Sequence, residues 1–111
     1  MCTTNENIAI IDVGSNSVRL RISKNDAVFL RERVTTQLAR GSANGVLNES
    51  SVERTFNGLD KLFAIATKHK ARIFAFATAA VRNANQSDDF CQKFFERYGV
   101  KLHVLSGEEE A

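Results

Sequence analysis

The spacing of apolar residues changes partway along the chain, and that change constrains the fold more than any other feature. From Ser17 to Ser23 the pattern alternates, with Val18, Leu20 and Ile22 set against Arg19 and Arg21. A repeat of two puts one set on each face of a strand. Before it, Ile8-Ala9-Ile10-Ile11-Asp12-Val13 is a short β-branched run that ends in Gly14-Ser15-Asn16, as a buried strand entering a turn does. After it, Lys24-Asn25-Asp26 carries turn chemistry, and a third β-prone stretch runs from Ala27 to about Thr36. Strands joined by such tight connections pair antiparallel.

Beyond the loop Gly41-Ser42-Ala43-Asn44-Gly45 the spacing becomes helical. Val52, Phe56, Leu59, Phe63 and Ala66 mark one face of a long helix reaching about Lys68, with Ser50 and Glu53 forming a capping box as N-cap and N3. Its basic last turn suits the negative end of the helix dipole. Ile73-Phe74-Ala75-Phe76-Ala77 reads as a central strand buried on both faces. A second helix starts at about Asp88, capped by Ser87, carries Phe90, Phe94 and Tyr98 on one stripe, and stops at Gly99. Val100 to Leu105 alternates as a last strand, and Ser106-Gly107-Glu108-Glu109-Glu110-Ala111 reads as the turn and first turn of a further helix. The order is therefore βββαβαβ. Right-handed crossovers set the later strands parallel to the first, giving an α/β domain with a mixed five-stranded sheet and helices packed on it. That is the order of the ribonuclease-H-like half-domain from which actin-like phosphotransferases are built.

Composition narrows the class. With 111 residues, 43% apolar, 25% charged and a net charge of +2, the chain is one ordinary soluble domain, and collagen-like or disordered classes are excluded. No apolar run approaches the roughly 20 residues of a membrane helix. The polar start Met1-Cys2-Thr3-Thr4-Asn5-Glu6-Asn7 lacks the basic region of a signal peptide, so a cytoplasmic location is expected, and Cys2 and Cys91 suit reduced thiols. The charge excess is too slight for a dedicated nucleic-acid surface, and Lys68, His69, Lys70 and Arg72 read as a solvated helix end. Neither His69 nor His103 has metal-ligand spacing with an acid or a cysteine. Proline is absent, so Gly, Asn and Ser make the turns.

Three segments have the residue types for phosphate chemistry. Gly14-Ser15-Asn16-Ser17 supplies successive backbone N–H groups, two hydroxyls and an amide, although a plain hairpin turn accounts for it equally well on composition. Asp12, ending a buried strand, needs a partner, and a divalent cation carried by a phosphate is a natural one. Arg82, in Thr78-Ala79-Ala80-Val81-Arg82, follows the central strand at the sheet end where ligands gather, as either a phosphate clamp or a helix-surface arginine. Glu108, Glu109 and Glu110 follow the last strand, where a carboxylate orients a water or simply favours a helix N-terminus.

Together, Ile11 to Leu20, Ala77 to Ala84 and Leu105 to Ala111 resemble the exopolyphosphatase and guanosine pentaphosphate phosphohydrolase (Ppx/GppA phosphatase) family, a branch of the actin, sugar kinase and Hsp70 superfamily. Thr36-Gln37-Leu38-Ala39-Arg40-Gly41 also resembles the family's loop after the third strand, with Gln37 where arginine is more usual. The resemblance implies hydrolysis of terminal phosphate from inorganic polyphosphate, or of the 5′ γ-phosphate from guanosine pentaphosphate, with magnesium and a place in the stringent response. By position it implies that Gly14, Ser15, Asn16 and Ser17 form the first phosphate loop, that Arg19 and Arg82 bind phosphate, and that Asp12 sits near the metal. It makes Glu110, or Glu109 by a one-residue change of register, the general base. The family's second phosphate loop and second lobe have no counterpart in these 111 residues, so residues 1–111 are expected to be the N-terminal lobe of a longer phosphatase, inactive alone. The full-length protein is expected to form a homodimer.

Two other readings stand beside this one. A sugar- or acetate-kinase lobe would use the same first loop for ATP, and a non-catalytic scaffold of the same fold would need no base. A ribonuclease-type nuclease fits less well, because Ser15 and Ser17 suit a phosphate cradle better than a metal-ion pair.

Overall fold

The computed structural model describes residues 6–40, 46–82, 84 and 87–105. Its elements are β1 (Asn7–Val13), β2 (Ser17–Lys24), β3 (Ala27–Thr35), α1 (Glu49–Lys68), β4 (Arg72–Ala77), α2 (Ala79–Arg82), α3 (Ser87–Tyr98) and β5 (Leu102–Val104). The five strands form one sheet in the order β3-β2-β1-β4-β5. β1, β2 and β3 pair antiparallel, while β4 lies parallel to β1 and β5 parallel to β4. The β2–β3 connection is a two-residue turn in which Asn25 and Asp26 take φ of 53° and 66°, the left-handed pair that a type I′ hairpin demands and Asn/Asp tolerate best.

The alternation in the strands sorts the two faces of the sheet. Ala9, Ile11 and Val13 of β1, Val18, Leu20 and Ile22 of β2, and Ala75 and Ala77 of β4 point to one face and are buried. Leu59 and Leu62 of α1 and Phe90 and Phe94 of α3 complete that core. Gly58 brings α1 close to the sheet, since a β-carbon there would lie 2.9 Å from Thr36 Cγ2 and 3.1 Å from Val34 Cγ1. Tyr98 stacks on Phe63 with ring centroids 3.9 Å apart, and its hydroxyl donates to Asp60 Oδ1 at 2.7 Å, which joins α3 to α1. Gly99 ends α3 with φ of 69° and donates to Phe95 O at 2.8 Å. Among the described residues no helix is long and apolar enough to cross a membrane.

Several details differ from the sequence reading. The N-cap of α1 is Asn48, whose Oδ1 accepts from Ser50 N at 2.8 Å, so Ser50 lies inside the helix. Asn48 holds the extended backbone of a cap, and the helix continues back to it because Glu49 and Ser50 offer no barrier. β4 is buried on one face only, with Arg72 and Phe74 exposed, because the described helices cover a single side of the sheet. A four-residue helix, α2, precedes α3, and β5 is shorter than the alternating stretch that contains it.

Candidate functional site

The β1–β2 hairpin is closed by Gly14 N donating to Ser17 O at 3.0 Å, and a β-carbon at Gly14 would lie 3.2 Å from that same oxygen. Ser15 and Asn16 are exposed at the tip, whereas Ser17 is buried. The tip carbonyls are held from behind. Thr36 N and Gln37 N both donate to Asn16 O at 2.9 Å, and Ala39 N donates to Ser15 O at 3.1 Å. With those acceptors occupied, the exposed tip keeps backbone donors and the polar side chains of Ser15 and Asn16, the kind of set that an anion requires. Neither the Ser15 nor the Asn16 N–H donates to a described backbone carbonyl.

The supporting loop is itself anchored by α1. Arg54 Nε donates to Thr36 O at 3.0 Å and Arg54 Nη2 to Gln37 O at 3.4 Å. Ser51 Oγ donates to Arg40 O at 2.9 Å and accepts from Arg54 Nη2 at 2.9 Å. Gln37 takes φ of 52° in this loop. These residues were missed by the sequence reading, and the signal was the polar pair Ser51 and Thr55, one helical turn apart on an otherwise apolar face.

The uncovered face of the sheet holds the other residues of interest. A groove of about 760 Å³ runs across it, lined by Asp12, Arg19, Ile10, Phe76, Thr78 and Leu105 among others. Asp12 and Arg19 are direct cross-strand partners, so the half-buried carboxylate and the exposed guanidinium share one wall. Thr78 N donates to Val13 O at 3.2 Å and Leu105 N to Ala77 O at 2.9 Å, extending the parallel pairing to the carboxyl end of the sheet. Arg82 lies at that end, its Nη1 donating to Leu105 O at 3.0 Å. Its guanidinium thereby holds the end of β5 beside the groove.

The structure thus brings Asp12, Arg19 and the Gly14–Ser17 hairpin to one edge of the open face, with Arg82 bonded to a residue of the groove wall. Glu109 and Glu110 lie outside the described residues. Among the described residues no three His, Cys, Asp or Glu side chains gather as a metal site, and Asp12 is the carboxylate nearest the phosphate loop in sequence. One carboxylate fits a magnesium ion that takes most of its ligands from water and phosphate oxygens.

Several shifted ionisations lie on the helical side. Arg97 hydrogen-bonds the Asp60 carboxyl and holds it below the ordinary carboxylate range, and burial together with the Asp60 hydrogen bond pushes the Tyr98 hydroxyl up. Burial also raises the Cys91 thiol. Asp60, Arg97 and Tyr98 tie α1 to α3, and neither they nor Cys91 are part of the groove lining.

Comparison with other proteins defines the class first. A Bacteroides thetaiotaomicron protein described as having an actin-like ATPase fold superimposes with a TM-score of 0.53 at 7% identity, over 91% of this chain and 33% of that one. The half-domain is therefore of the actin-like ATPase fold. The sequence also matches the profile of the Ppx/GppA phosphatase family over residues 20–111, and the chain belongs to that family. Two curated relatives are a bifunctional 3-dehydroquinate synthase/phosphatase of Fusobacterium nucleatum, 31% identical over 93% of this chain and 18% of that protein, and exopolyphosphatase 1 of Mycobacterium bovis, 29% identical over 94% and 32%. The crystal structure of the Aquifex aeolicus Ppx/GppA family member superimposes with a TM-score of 0.87 at 28% identity, covering 95% of this chain and 36% of that one. The chain spans no more than about a third of the curated relatives' length.

Proposed function

We propose that this chain is the N-terminal, phosphate-loop lobe of a cytoplasmic phosphoanhydride hydrolase that removes the terminal phosphate of inorganic polyphosphate, with guanosine pentaphosphate as a second substrate and hence a role in the stringent response. The observation that carries the reading is the Gly14–Ser17 hairpin, whose tip carbonyls are occupied by the 36–39 backbone while the Ser15 and Asn16 N–H groups donate to no described backbone carbonyl, one strand position from Val18 and two from Arg19.

In this reading the hairpin N–H groups and the Ser15 and Ser17 hydroxyls hold a terminal phosphate, and Arg19 neutralises charge on its oxygens. Arg82 holds the carboxyl end of the sheet and contributes positive charge there. Glu110, or Glu109, accepts the proton of the attacking water. Asp12 would hold magnesium together with substrate oxygens, and the ion when bound would supply further neutralisation of phosphate charge. Hydrolysis of this kind is mostly positioning and charge neutralisation, so a lobe that carries only one wall of the cleft binds phosphate without turnover. The two-lobed protein would act as a homodimer.

Phosphate release from polyphosphate and from guanosine pentaphosphate, measured for this chain and for the chain joined to a second lobe of the family, tests the proposal. Turnover is expected only in the joined protein, and Glu110→Gln there should lower kcat at least about a hundredfold with KM little changed. Equal turnover by the 111-residue chain alone would overturn the division between lobes.

A further inference from the structure

The segment that backs the hairpin tip is kinked. Thr36 N and Gln37 N, successive along the backbone, converge on the one oxygen Asn16 O at 2.9 Å each. Gln37 takes φ of 52°, a left-handed conformation that is uncommon and strained for a residue of its kind. Past the kink the chain turns back on the hairpin. Ala39 N reaches Ser15 O at 3.1 Å, and Arg40 N closes the turn on Gln37 O at 3.0 Å.

The two ends of that turn are joined through their side chains. Arg40 Nη1 donates to Gln37 Oε1 at 3.1 Å, while Arg40 O accepts from Ser51 Oγ of α1 at 2.9 Å. Arg40 is thus held at its N–H, at its carbonyl and at one guanidinium nitrogen, although the residue is exposed. Fixing a long, exposed side chain costs entropy. The bond draws the guanidinium toward Gln37, whose own N–H is on the hairpin tip, instead of leaving it to spread over the surface.

No described carboxylate cancels the charge gathered here. Arg54, the other guanidinium at the turn, bonds only to the neutral oxygens Thr36 O, Gln37 O and Ser51 Oγ. Glu32 of β3 and Glu49 and Glu53 of α1 are exposed, and among the described residues none of them pairs with Arg40 or Arg54. A guanidinium carries five N–H donors, and a described residue engages Arg40 at Nη1 alone. Its other edge keeps the planar fork that matches two phosphate oxygens at once.

Resting on the function proposed above, we propose that Arg40 contacts the phosphate held on the Gly14–Ser17 hairpin through this edge, and that Gln37 is the positioning residue that holds the fork there. Charge on the phosphate is then neutralised from the turn as well as from Arg19 on β2. Glycine at position 37 would relieve the backbone but leave the fork unheld.

Calorimetric titration of the 111-residue chain with tripolyphosphate, with a thermal midpoint for each variant, tests this. Arg40→Gln is expected to lose about tenfold in affinity, and Arg40→Lys about threefold, because an ammonium keeps the charge without the fork. Lys61→Gln removes the same charge from an exposed site on α1 and should lose less than about twofold. Gln37→Gly should lose about threefold with a midpoint that is level or raised, and should cost nothing further when added to Arg40→Gln. A loss in Arg40→Gln no larger than in Lys61→Gln would overturn the contact. An additive effect of Gln37→Gly on Arg40→Gln would overturn the positioning role, since it would show Gln37 acting on the loop and not through Arg40. The underlying reading fails separately. If the wild type does not bind tripolyphosphate, or Ser15→Ala with Ser17→Ala binds it as well as the wild type, the phosphate loop falls and the Arg40 contact with it. If that double variant is weakened and Arg40→Gln is not, only the Arg40 contact falls.

Discussion

Gly58 and Arg54 show how single residues on α1 control a loop that is distant in sequence. An alanine at position 58 would meet Thr36 Cγ2 at 2.9 Å and Val34 Cγ1 at 3.1 Å, both branches of stiff side chains. The gain of about 1 kcal/mol in helix propensity is outweighed by overpacking of about 1–3 kcal/mol, so Gly58→Ala should lower stability by about 1 kcal/mol in urea unfolding. Arg54→Ala removes the donors to Thr36 O and Gln37 O, at about 1–2 kcal/mol. Because that loop backs the hairpin tip, the same variant should weaken tripolyphosphate binding measured by calorimetry, although Arg54 is not itself part of the groove lining. Ser15, Ser17 and Arg19 could be picked from the sequence because they stand in one short segment. Arg54 could not, because its role depends on a loop folding back against the first turns of α1.

At the scale of elements, the α1–α3 seam makes stability depend on pH at both extremes. The Asp60 carboxyl, held below its ordinary 3.8 by Arg97, contributes stability that is complete above that value and is lost as pH falls through the lowered one. The Tyr98 hydroxyl is pushed above its ordinary 10.0, so its contribution is complete below pH 10.0 and is lost as pH rises beyond it. Urea midpoints followed across pH should show Asp60→Asn less stable than the wild type at neutrality, with the difference vanishing in acid. The Asp60 side chain is 43% exposed, so solvent screening keeps that difference modest. Tyr98→Phe should flatten the alkaline limb. The α3 stripe of Phe90, Phe94 and Tyr98 was legible from spacing, whereas its salt bridge to α1 was not, since Asp60 and Arg97 are far apart in sequence. The same distinction explains the cap of α1, where Ser50 matched a local pattern but Asn48 made the bond.

For the whole molecule, local sequence determined the kinds of element and their order. Periods of two and of three to four residues, with Asn-Asp and Gly punctuation, are properties of neighbouring residues and survive without knowledge of the fold. They also placed the Gly14–Ser17 turn between strands. Only the tertiary structure decided which faces are covered. The run Ile73 to Ala77 has the same apolar character whether one layer of helices packs on it or two, and here the described helices leave Phe74 on an open side. Tertiary structure also decided that four arginines from two strands meet in two rungs, Arg19 opposite Arg33 and Arg21 opposite Arg31. Their alignment depends on the β2–β3 register, and a one-residue slip would send the arginines of one strand to the face opposite those of the other. Sequence periodicity specifies what each segment can bury, but contact between segments depends on pairing across distances the local pattern does not encode.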